Sequence, residues 1–232
     1  MDYIGIIGAM PEEVAQLIEQ MEEAKKTTIA GMDFYDGILW KKRAVVVKSG
    51  IGKVNMAACT QILASIYQVT ALINTGVAGG LYAPINIGDI VLSADTLQHD
   101  MDATGFGYEL GVIPQMEQSV FYGDKELIAK AKEACEEVNP DIAVYVGRVV
   151  SGDQFISSDE KKTFLVEQFN GYCAEMEGAA MAQIAYLNHI PFVIVRAISD
   201  KADHSATMNY ADFEEQAIVH TIRLLKAMFS RI

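Results

Sequence analysis

The feature that most constrains the fold is an apolar run, residues 192–200, that contains an arginine and ends on an aspartate. The run Phe-Val-Ile-Val-Arg-Ala-Ile-Ser-Asp is typical of a strand that is buried on both faces of a parallel sheet. Side chains alternate along a strand, so Arg196 and Asp200 point to the same side, about 13 Å apart at ~3.3 Å per residue. They are too far apart to pair with each other, and each therefore requires another partner inside the protein.

A further carboxylate lies in an apolar context just before this strand. Ala180, Ile184 and Leu187 follow Glu177 at helical spacing, which predicts a helix whose apolar face includes Glu177. Two interpretations are open for Glu177 and Asp200. They form structural ion pairs with Arg196, or they are buried acids with a chemical task.

Strand and helix patterns alternate along the chain. With 232 residues, 51% of them hydrophobic, the sequence predicts one globular α/β domain over residues 1–232. A short hairpin is predicted at 28–39, and a long functional loop at 99–117. Strands are expected at 4–9, 44–47, 71–74, 90–92, 143–150 and 192–200, and helices at 11–21, 54–67, 125–138, 177–187 and 211–229.

Small residues follow several of the predicted strands. Ser49-Gly50, Thr75-Gly76 and Ser151-Gly152 each come directly after a strand, and the run at 192 ends on Ser199-Asp200. Small residues let a ligand approach the backbone, and the carboxyl ends of strands are where open α/β sheets bind ligands. The sequence therefore predicts one small-molecule pocket built from many strand ends.

Composition excludes several classes of partner. The net charge of −13 argues against nucleic acids and anionic membranes, and no apolar run approaches the ~18 residues of a membrane span. The N-terminus lacks the basic segment of a signal peptide, and the three cysteines are far apart in sequence. We therefore expect free thiols and a cytoplasmic protein.

Several short motifs match known sites only in part. Gly50-Ile51-Gly52-Lys53 lacks the third glycine of a dinucleotide fingerprint and the Ser/Thr of a P-loop. There is no G-x-S-x-G nucleophile motif. His99, Asp100 and Asp102, like Asp200, Asp203 and His204, are spaced too loosely to indicate a metal, so we expect neither metal nor cofactor.

Glu12 and Glu13 follow Pro11 in the first turn of a predicted helix. Acidic residues there stabilise an ordinary helix through its dipole, and that interpretation suffices on spacing alone.

Six segments in order are similar to one known family, the bacterial 5′-methylthioadenosine/S-adenosylhomocysteine nucleosidases of the purine nucleoside phosphorylase superfamily. The resemblance covers nearly the whole chain. It implies a three-layer α/β fold with a mixed central sheet flanked by helices, and hydrolysis of an N-glycosidic bond that releases adenine and a 5-alkylthioribose. The segments are Gly5-Ile6-Ile7-Gly8-Ala9-Met10-x-Glu12-Glu13, Lys48 to Lys53, Asn74-Thr75-Gly76-x-Ala78-Gly79-Gly80, Ser151-Gly152-Asp153-x-Phe155-Ile156, Glu175-Met176-Glu177 and Arg196 to Asp200.

The resemblance also implies catalytic roles. Asp200 would be the general acid at adenine N7, and Glu13 would be the base that activates water. Glu175 and Arg196 would help to hold that water. For these roles the pKa of Asp200 must rise from its ordinary ~3.9, whereas the helix N-terminus favours the anion of Glu13.

The remaining implied contacts bind the substrate. Glu177 and the backbone of Met176 would bind the ribose, Phe155 would stack on adenine, and the backbone of Ile156 would read its edge, with Ser199 beside them. A homodimer is implied as well, in which Pro114 of the neighbouring subunit closes the 5′ pocket. The apolar 5′ pocket itself would be lined by Met10, Ile51, Phe106 and Tyr210.

Three alternatives remain open. A phosphorylase of the same superfamily would need cationic groups for phosphate, whereas Pro11-Glu12-Glu13 would repel it. A hydrolase of another 5′-modified adenosine, such as an aminodeoxyfutalosine, would differ mainly in the 5′ pocket. A non-catalytic nucleoside-binding protein would have no use for Glu13 and Asp200 together. The chain has Val77 where members of the family often have serine.

Overall fold

The computed structural model describes residues 3–204 and 206–232, without the side chains of residues 207–212 and 214–216 in the last helix. Its strands are β1 Ile4–Gly8, β2 Met21–Ile29, β3 Met32–Leu39, β4 Lys42–Lys48, β5 Ala71–Gly80, β6 Ile90–Gln98, β7 Phe121–Tyr122, β8 Val144–Ser151, β9 Cys173–Glu175 and β10 Phe192–Asp200. Its α-helices are α1 Pro11–Glu19, α2 Lys53–Ile62, α3 Lys125–Val138, α4 Asp159–Phe169, α5 Gly178–Leu187 and α6 Ala206–Phe229. A π-helical turn, Leu63–Tyr67, extends α2, and a 3-10 turn covers Thr104–Phe106.

The strands form one mixed sheet. Its order is β2-β3-β4-β1-β5-β10-β6-β8-β9, and β9 then pairs with β5, so that the last five strands of this order close into a ring. β1 runs parallel to β4 and β5, and β10 runs parallel to β5 but antiparallel to β6. The expected mixed sheet is confirmed, but the sequence patterns did not indicate that part of it closes on itself.

Helices cover the sheet on two sides. One apolar cluster contains side chains from α1, α3 and α6, and a second contains side chains from α2 and α5. This is the expected layered α/β arrangement, with the sheet between two groups of helices. In the part of the chain that the structure describes, no helix is long and apolar enough to cross a membrane.

The strand β5 is central to the sheet and is longer than predicted. It pairs with β1, β10 and β9 and continues from Ala71 to Gly80, so Thr75-Gly76 lies inside the strand rather than after it. The prediction of a strand that ends at Asn74 was therefore wrong. Small residues did not end the strand, because residues 76–79 continue to pair with β10 and residues 79 and 80 pair with β9.

Other boundaries differ in ways that have a physical reason. α1 ends at Glu19, because Met21 already pairs with Leu39 in the next hairpin. α4 and β9 were not predicted, since α4 buries few apolar side chains and β9 has only 3 residues. In α5, Ala180 is buried as expected, whereas Leu187 is exposed.

Candidate active site

The centre of the candidate site is Arg196, a guanidinium with almost no exposed surface in the middle of β10. Its Nη2 donates to Asn74 Oδ1 at 2.6 Å and to Glu175 Oε2. Glu177 Oε2 lies 3.6 Å from the same nitrogen. Burial opposes the charge of the guanidinium, but the neighbouring carboxylates outweigh it and raise the pKa of Arg196 above its ordinary value.

Glu175, at the end of β9, is held by three donors besides Arg196. The hydroxyl of Ser151 donates to Oε1, and the amides of Glu177 and Gly178 donate at 3.2 Å and 2.8 Å to Oε2. Ser151 itself accepts from the amide of Ala179 at 2.8 Å. The carboxylate is therefore oriented by the start of α5 and the end of β8.

Two of these positioning residues were not assigned a role by sequence reasoning. Asn74 donates to Ile7 O at 3.0 Å and accepts from Arg196, so it connects β1 to β10 across β5. Ser151 was recognised only as a small residue after a strand. A polar side chain within an apolar strand was the available signal, because such a group requires a buried partner.

Glu13, in the first turn of α1, accepts three backbone hydrogen bonds. The amides of Ala9 and Met10 donate to Oε2 at 2.6 Å and 3.0 Å, and the amide of Val77 donates to Oε1 at 3.2 Å. A Cβ atom on Gly76 would lie 2.1 Å from Arg196 Nη1 and 2.4 Å from Glu13 Oε1. Glycine at 76 is therefore what allows Glu13 and Arg196 to approach each other across β5.

The pKa of Glu13 does not shift in the expected direction. Burial raises it above its ordinary value, and this effect outweighs Arg196 and the three amides, which favour the anion. The prediction that the helix N-terminus dominates was wrong, because the side chain is withdrawn from water. A carboxylate with a raised pKa is nevertheless a stronger base than an ordinary carboxylate.

Glu177 precedes α5 and is buried, with two polar neighbours. Its Oε1 accepts from the amide of Gly52 at 2.8 Å, and Oε2 faces Arg196. Burial first, and then the charge of Glu175, raise the pKa of Glu177 to about 7. The ion-pair interpretation of Glu177 is therefore correct only in part, since Arg196 donates mainly to Glu175.

Asp200 ends β10 in an environment of its own. Its Oδ1 accepts from the amide of Ala202 at 2.7 Å, and its Oδ2 accepts from the hydroxyl of Ser199 at 2.9 Å. Burial raises the pKa of Asp200 above its ordinary value, against these two hydrogen bonds. Among the described residues Asp200 forms no salt bridge, so the ion-pair interpretation does not apply to it.

Glu175, Glu177 and Asp200 line a cavity of about 260 Å³, whereas Glu13 and Arg196 are not among its lining residues. The other lining residues come from the ends of β1, β5, β9 and β10 and from the loops after β4 and β8. They are Ala9, Met10, Ile51, Val77, Ala78, Gly79, Gln154, Phe155, Ile156, Ala174, Met176 and Ser199. The structure thus brings most of the expected binding residues to one place.

Of the residues expected to bind the substrate, Phe106 and Pro114 are not among the described residues that line this cavity. Phe106 is 89% exposed on the 3-10 turn and does not line the cavity of a single chain, so its assignment to the 5′ pocket stays a prediction. Loop 99–117 carries it away from the cavity. Pro114 is partly exposed in the same loop, and the side chain of Tyr210 lies outside the described residues.

Comparisons with known proteins agree with this geometry. The sequence model of one protein family, the phosphorylase superfamily, matches residues 3–230 of this chain. A 5′-methylthioadenosine/S-adenosylhomocysteine nucleosidase of Staphylococcus aureus is 41% identical over 230 residues, which cover 99% of this chain and 100% of the relative. Such similarity over the full length of both chains indicates common ancestry of the whole sequence.

Solved structures are similar over the same extent. The nucleosidase from Neisseria meningitidis in complex with methylthio-immucillin-A is 36% identical with a TM-score of 0.95, covering 100% of both chains. A futalosine hydrolase of Helicobacter pylori is 33% identical with a TM-score of 0.94, covering 100% of this chain and 98% of that one. The chain therefore belongs to the phosphorylase superfamily and, within it, to the family of the 5′-methylthioadenosine/S-adenosylhomocysteine nucleosidases.

Proposed function

We propose that the chain hydrolyses the N-glycosidic bond of 5′-methylthioadenosine and S-adenosylhomocysteine, releasing adenine and a 5-alkylthioribose. The observation that carries this proposal is the presence of two buried acids at one cavity: Asp200 lines it, and Glu13 accepts a hydrogen bond from the amide of Val77, which also lines it. Inverting glycosidases likewise use one carboxyl group as the acid and a second as the base that activates water.

Asp200 acts as the general acid. An aspartate with its ordinary pKa is about 0.1% protonated at pH 7, so it would be a poor proton donor. Burial of Asp200 raises its pKa and increases that fraction. Protonation of the purine at N7 makes adenine a better leaving group, and Ser199 holds the carboxyl in position through its hydroxyl.

Glu13 acts as the base. Its anion is stabilised by three amides and by Arg196, while burial keeps its pKa above the ordinary value. The donors favour the anion that a base needs, and the raised pKa makes that anion a stronger base towards water. Glu175 and Arg196 help to hold that water. Val77 contributes its amide to Glu13, which is a backbone contact that does not depend on the side chain at 77.

The sugar lies against Glu177 and Met176. A carboxylate accepts hydrogen bonds from ribose hydroxyls and stabilises the positive charge that develops on the sugar as the bond breaks. Phe155, which is 51% exposed at the cavity wall, offers a ring face to adenine, and the backbone of Ile156 reads the edge of the base. Met10 and Ile51 supply apolar surface for the 5′ substituent.

Two alternatives concern the nucleophile and the 5′ group. A phosphorylase would need free cationic groups for phosphate, but Arg196 is already surrounded by carboxylates, and Glu13 would repel the anion. The similarity to a futalosine hydrolase favours a second candidate, in which the substrate is another 5′-modified adenosine.

We also propose that residues 1–232 act as one cytoplasmic domain. The family model spans residues 3–230, and Cys59, Cys135 and Cys173 are buried free thiols, as a reducing compartment permits. Free, unmodified thiols in mass spectra of protein taken directly from cells would support this location, and disulfide-linked forms would contradict it.

The first prediction concerns the nucleophile. Purified protein should release adenine from 5′-methylthioadenosine at the same rate with phosphate absent and in excess, and the product should be free 5-methylthioribose. The sugar product is identified by mass spectrometry. Release only with phosphate, giving the sugar 1-phosphate, would assign the chain to the phosphorylases. Release from a futalosine-type substrate alone would favour the second candidate.

The second prediction concerns the acid. Asp200→Asn should fold and bind a substrate analogue but turn over about 10²–10⁴-fold more slowly, the usual effect of losing a general acid. Because the acid must carry a proton, activity of the native enzyme should fall as pH rises through the pKa of Asp200, and this limb should disappear in the variant. Asp159→Asn, an exposed position, is the control. Near-native turnover in Asp200→Asn would remove the assigned role.

The third prediction concerns the base. Glu13→Gln should be inactive and still bind the analogue, because an amide cannot accept the proton of water. The base must be ionised, so native activity should also fall as pH decreases through the pKa of Glu13. Glu12→Gln changes the exposed neighbour on the same helical turn and should leave turnover unchanged. Normal turnover in Glu13→Gln would place water activation elsewhere.

The fourth prediction concerns assembly. We propose a homodimer in which Pro114 of each subunit closes the 5′ pocket of the other. The exposure of Phe106 in the same loop supports this arrangement, because a large apolar side chain on the surface favours contact with a partner. Light scattering should give twice the mass of one chain. A monomer that is fully active at assay concentration would contradict the proposal.

A further inference from the structure

The loop between β4 and α2 carries the sequence Gly50-Ile51-Gly52-Lys53, which matched nucleotide-binding motifs only in part. In the structure this loop lies beside the cavity, and Ile51 is one of its lining residues. Gly52 adopts a φ of 95°, in the region that favours glycine, and a Cβ atom there would lie 3.1 Å from Asp153 Oδ1. The loop is therefore closely packed against the loop that follows β8.

Three charged residues connect this loop to two others. Lys53 Nζ donates to Asp100 Oδ1 at 2.6 Å, and the other oxygen of Asp100 accepts from the amide of Asp153 at 2.9 Å. Asp153 in turn accepts from the amide of Lys53, at 2.8 Å through Oδ1. The three residues thus form a closed cycle of hydrogen bonds, which we call the Lys53–Asp100–Asp153 cycle.

The cycle is partly shielded from water. The side chains of Lys53 and Asp100 are each 18% exposed, whereas the surface pair Lys26 and Asp33 is 55% and 41% exposed. Burial acts against the anion of Asp100, but the bonds from Lys53 and Asp153 hold its pKa below the ordinary value. Lys53 Nζ also donates to Gln98 Oε1 at 2.9 Å, which fixes the ammonium group from a second side. Shielded charge pairs of this kind hold their geometry better than exposed pairs do.

The cycle lies next to the group that contacts the sugar in the proposed function. The amide of Gly52 donates to Glu177 Oε1, and the following amide, that of Lys53, donates to Asp153. Because successive peptide planes share one Cα atom, fixing the amide of Lys53 limits the direction of the amide of Gly52. Phe155, another lining residue, follows Asp153 by two residues, so the cycle also connects the loop that carries Ile51 to the loop that carries Phe155.

We propose that Lys53 is a positioning residue of the active site. Through Asp100 and Asp153 it holds the loop after β4 against the loop after β8 and directs the Gly52 amide at Glu177. Glu177 then presents its carboxylate to the ribose hydroxyls in one orientation. This inference rests on the proposed function, because it assigns Glu177 to the sugar. Lys53 itself touches no substrate in this scheme.

The fifth prediction tests the role of Lys53. Lys53→Met keeps the length of the side chain but cannot donate to Asp100. Its kcat/KM for 5′-methylthioadenosine should fall about 10–100-fold, by analogy with the loss when partners that orient metal ligands are removed. Lys48→Met, at an exposed position of the same segment, is the matched control and should be unchanged.

A substrate comparison separates positioning from a general loss of structure. Native enzyme should prefer 5′-methylthioadenosine to its 2′-deoxy and 3′-deoxy analogues, because Glu177 binds the hydroxyls. In Lys53→Met this preference should shrink, since Glu177 is no longer held, and the rate for the deoxy analogues should change least. A loss of the same factor for all substrates would overturn the proposal, as would native kinetics in Lys53→Met.

A second variant keeps the test valid if Lys53→Met does not fold. Asp100→Asn removes the charge that Lys53 binds and should cause the same loss of hydroxyl preference. If both single variants fold, the double variant should be no worse than the more impaired single one, because both act through one cycle. Additive losses would show independent roles and contradict the proposal. Turnover of 5′-methylthioadenosine by the native enzyme tests the proposed function separately. If the native enzyme shows no turnover, the binding preference for ribo over deoxy analogues can still be measured in every variant.

Discussion

The site depends on one buried cation. Arg196 is inside β10, and the carboxylates of Glu175, Glu177 and Glu13 are arranged around it with the amide of Asn74. A single guanidinium compensates for several acids, so the site retains negative charge where a cationic sugar would form. Removing the cation would leave uncompensated buried carboxylates, which are more costly to the fold than the loss of the ion pair itself. The acids thus depend on Arg196 for their place in the core.

The close approach of these groups depends on the backbone of β5. Gly76 leaves room for Glu13 to meet Arg196, and Gly79 leaves room for Asp200. The strand pairs on both edges and also receives β9, which delivers Glu175 to the same region. Glu13, at the start of α1, and Asp200, at the end of β10, are therefore both packed against β5. Close packing of this kind suits catalysis that requires a fixed geometry.

Burial sets the chemistry of the acids. It raises the pKa of Asp200, Glu13 and Glu177, and the local donors decide how far each remains an anion. Glu13 and Asp200 consequently differ in their partners more than in the direction of their shifts. Glu13 has three amides and a nearby cation, whereas Asp200 has one amide and one hydroxyl. This difference in donors supports the assignment of Glu13 as the ionised base and of Asp200 as the protonated acid.

The sequence by itself determined the α/β class, the strand that carries Arg196 and Asp200, and a pocket at the strand ends, because hydrophobic period and small residues are local signals. The resemblance of six segments to one family indicated which residues belong to the same site. Only the tertiary structure decided the closure of the sheet through β9, the upward shift in the pKa of Glu13, and the placement of Phe106 outside the cavity. It also gave Asn74, Ser151 and Lys53 their partners. The reason is physical: burial and hydrogen bonds between distant segments depend on the packing of the whole chain, which no local pattern contains.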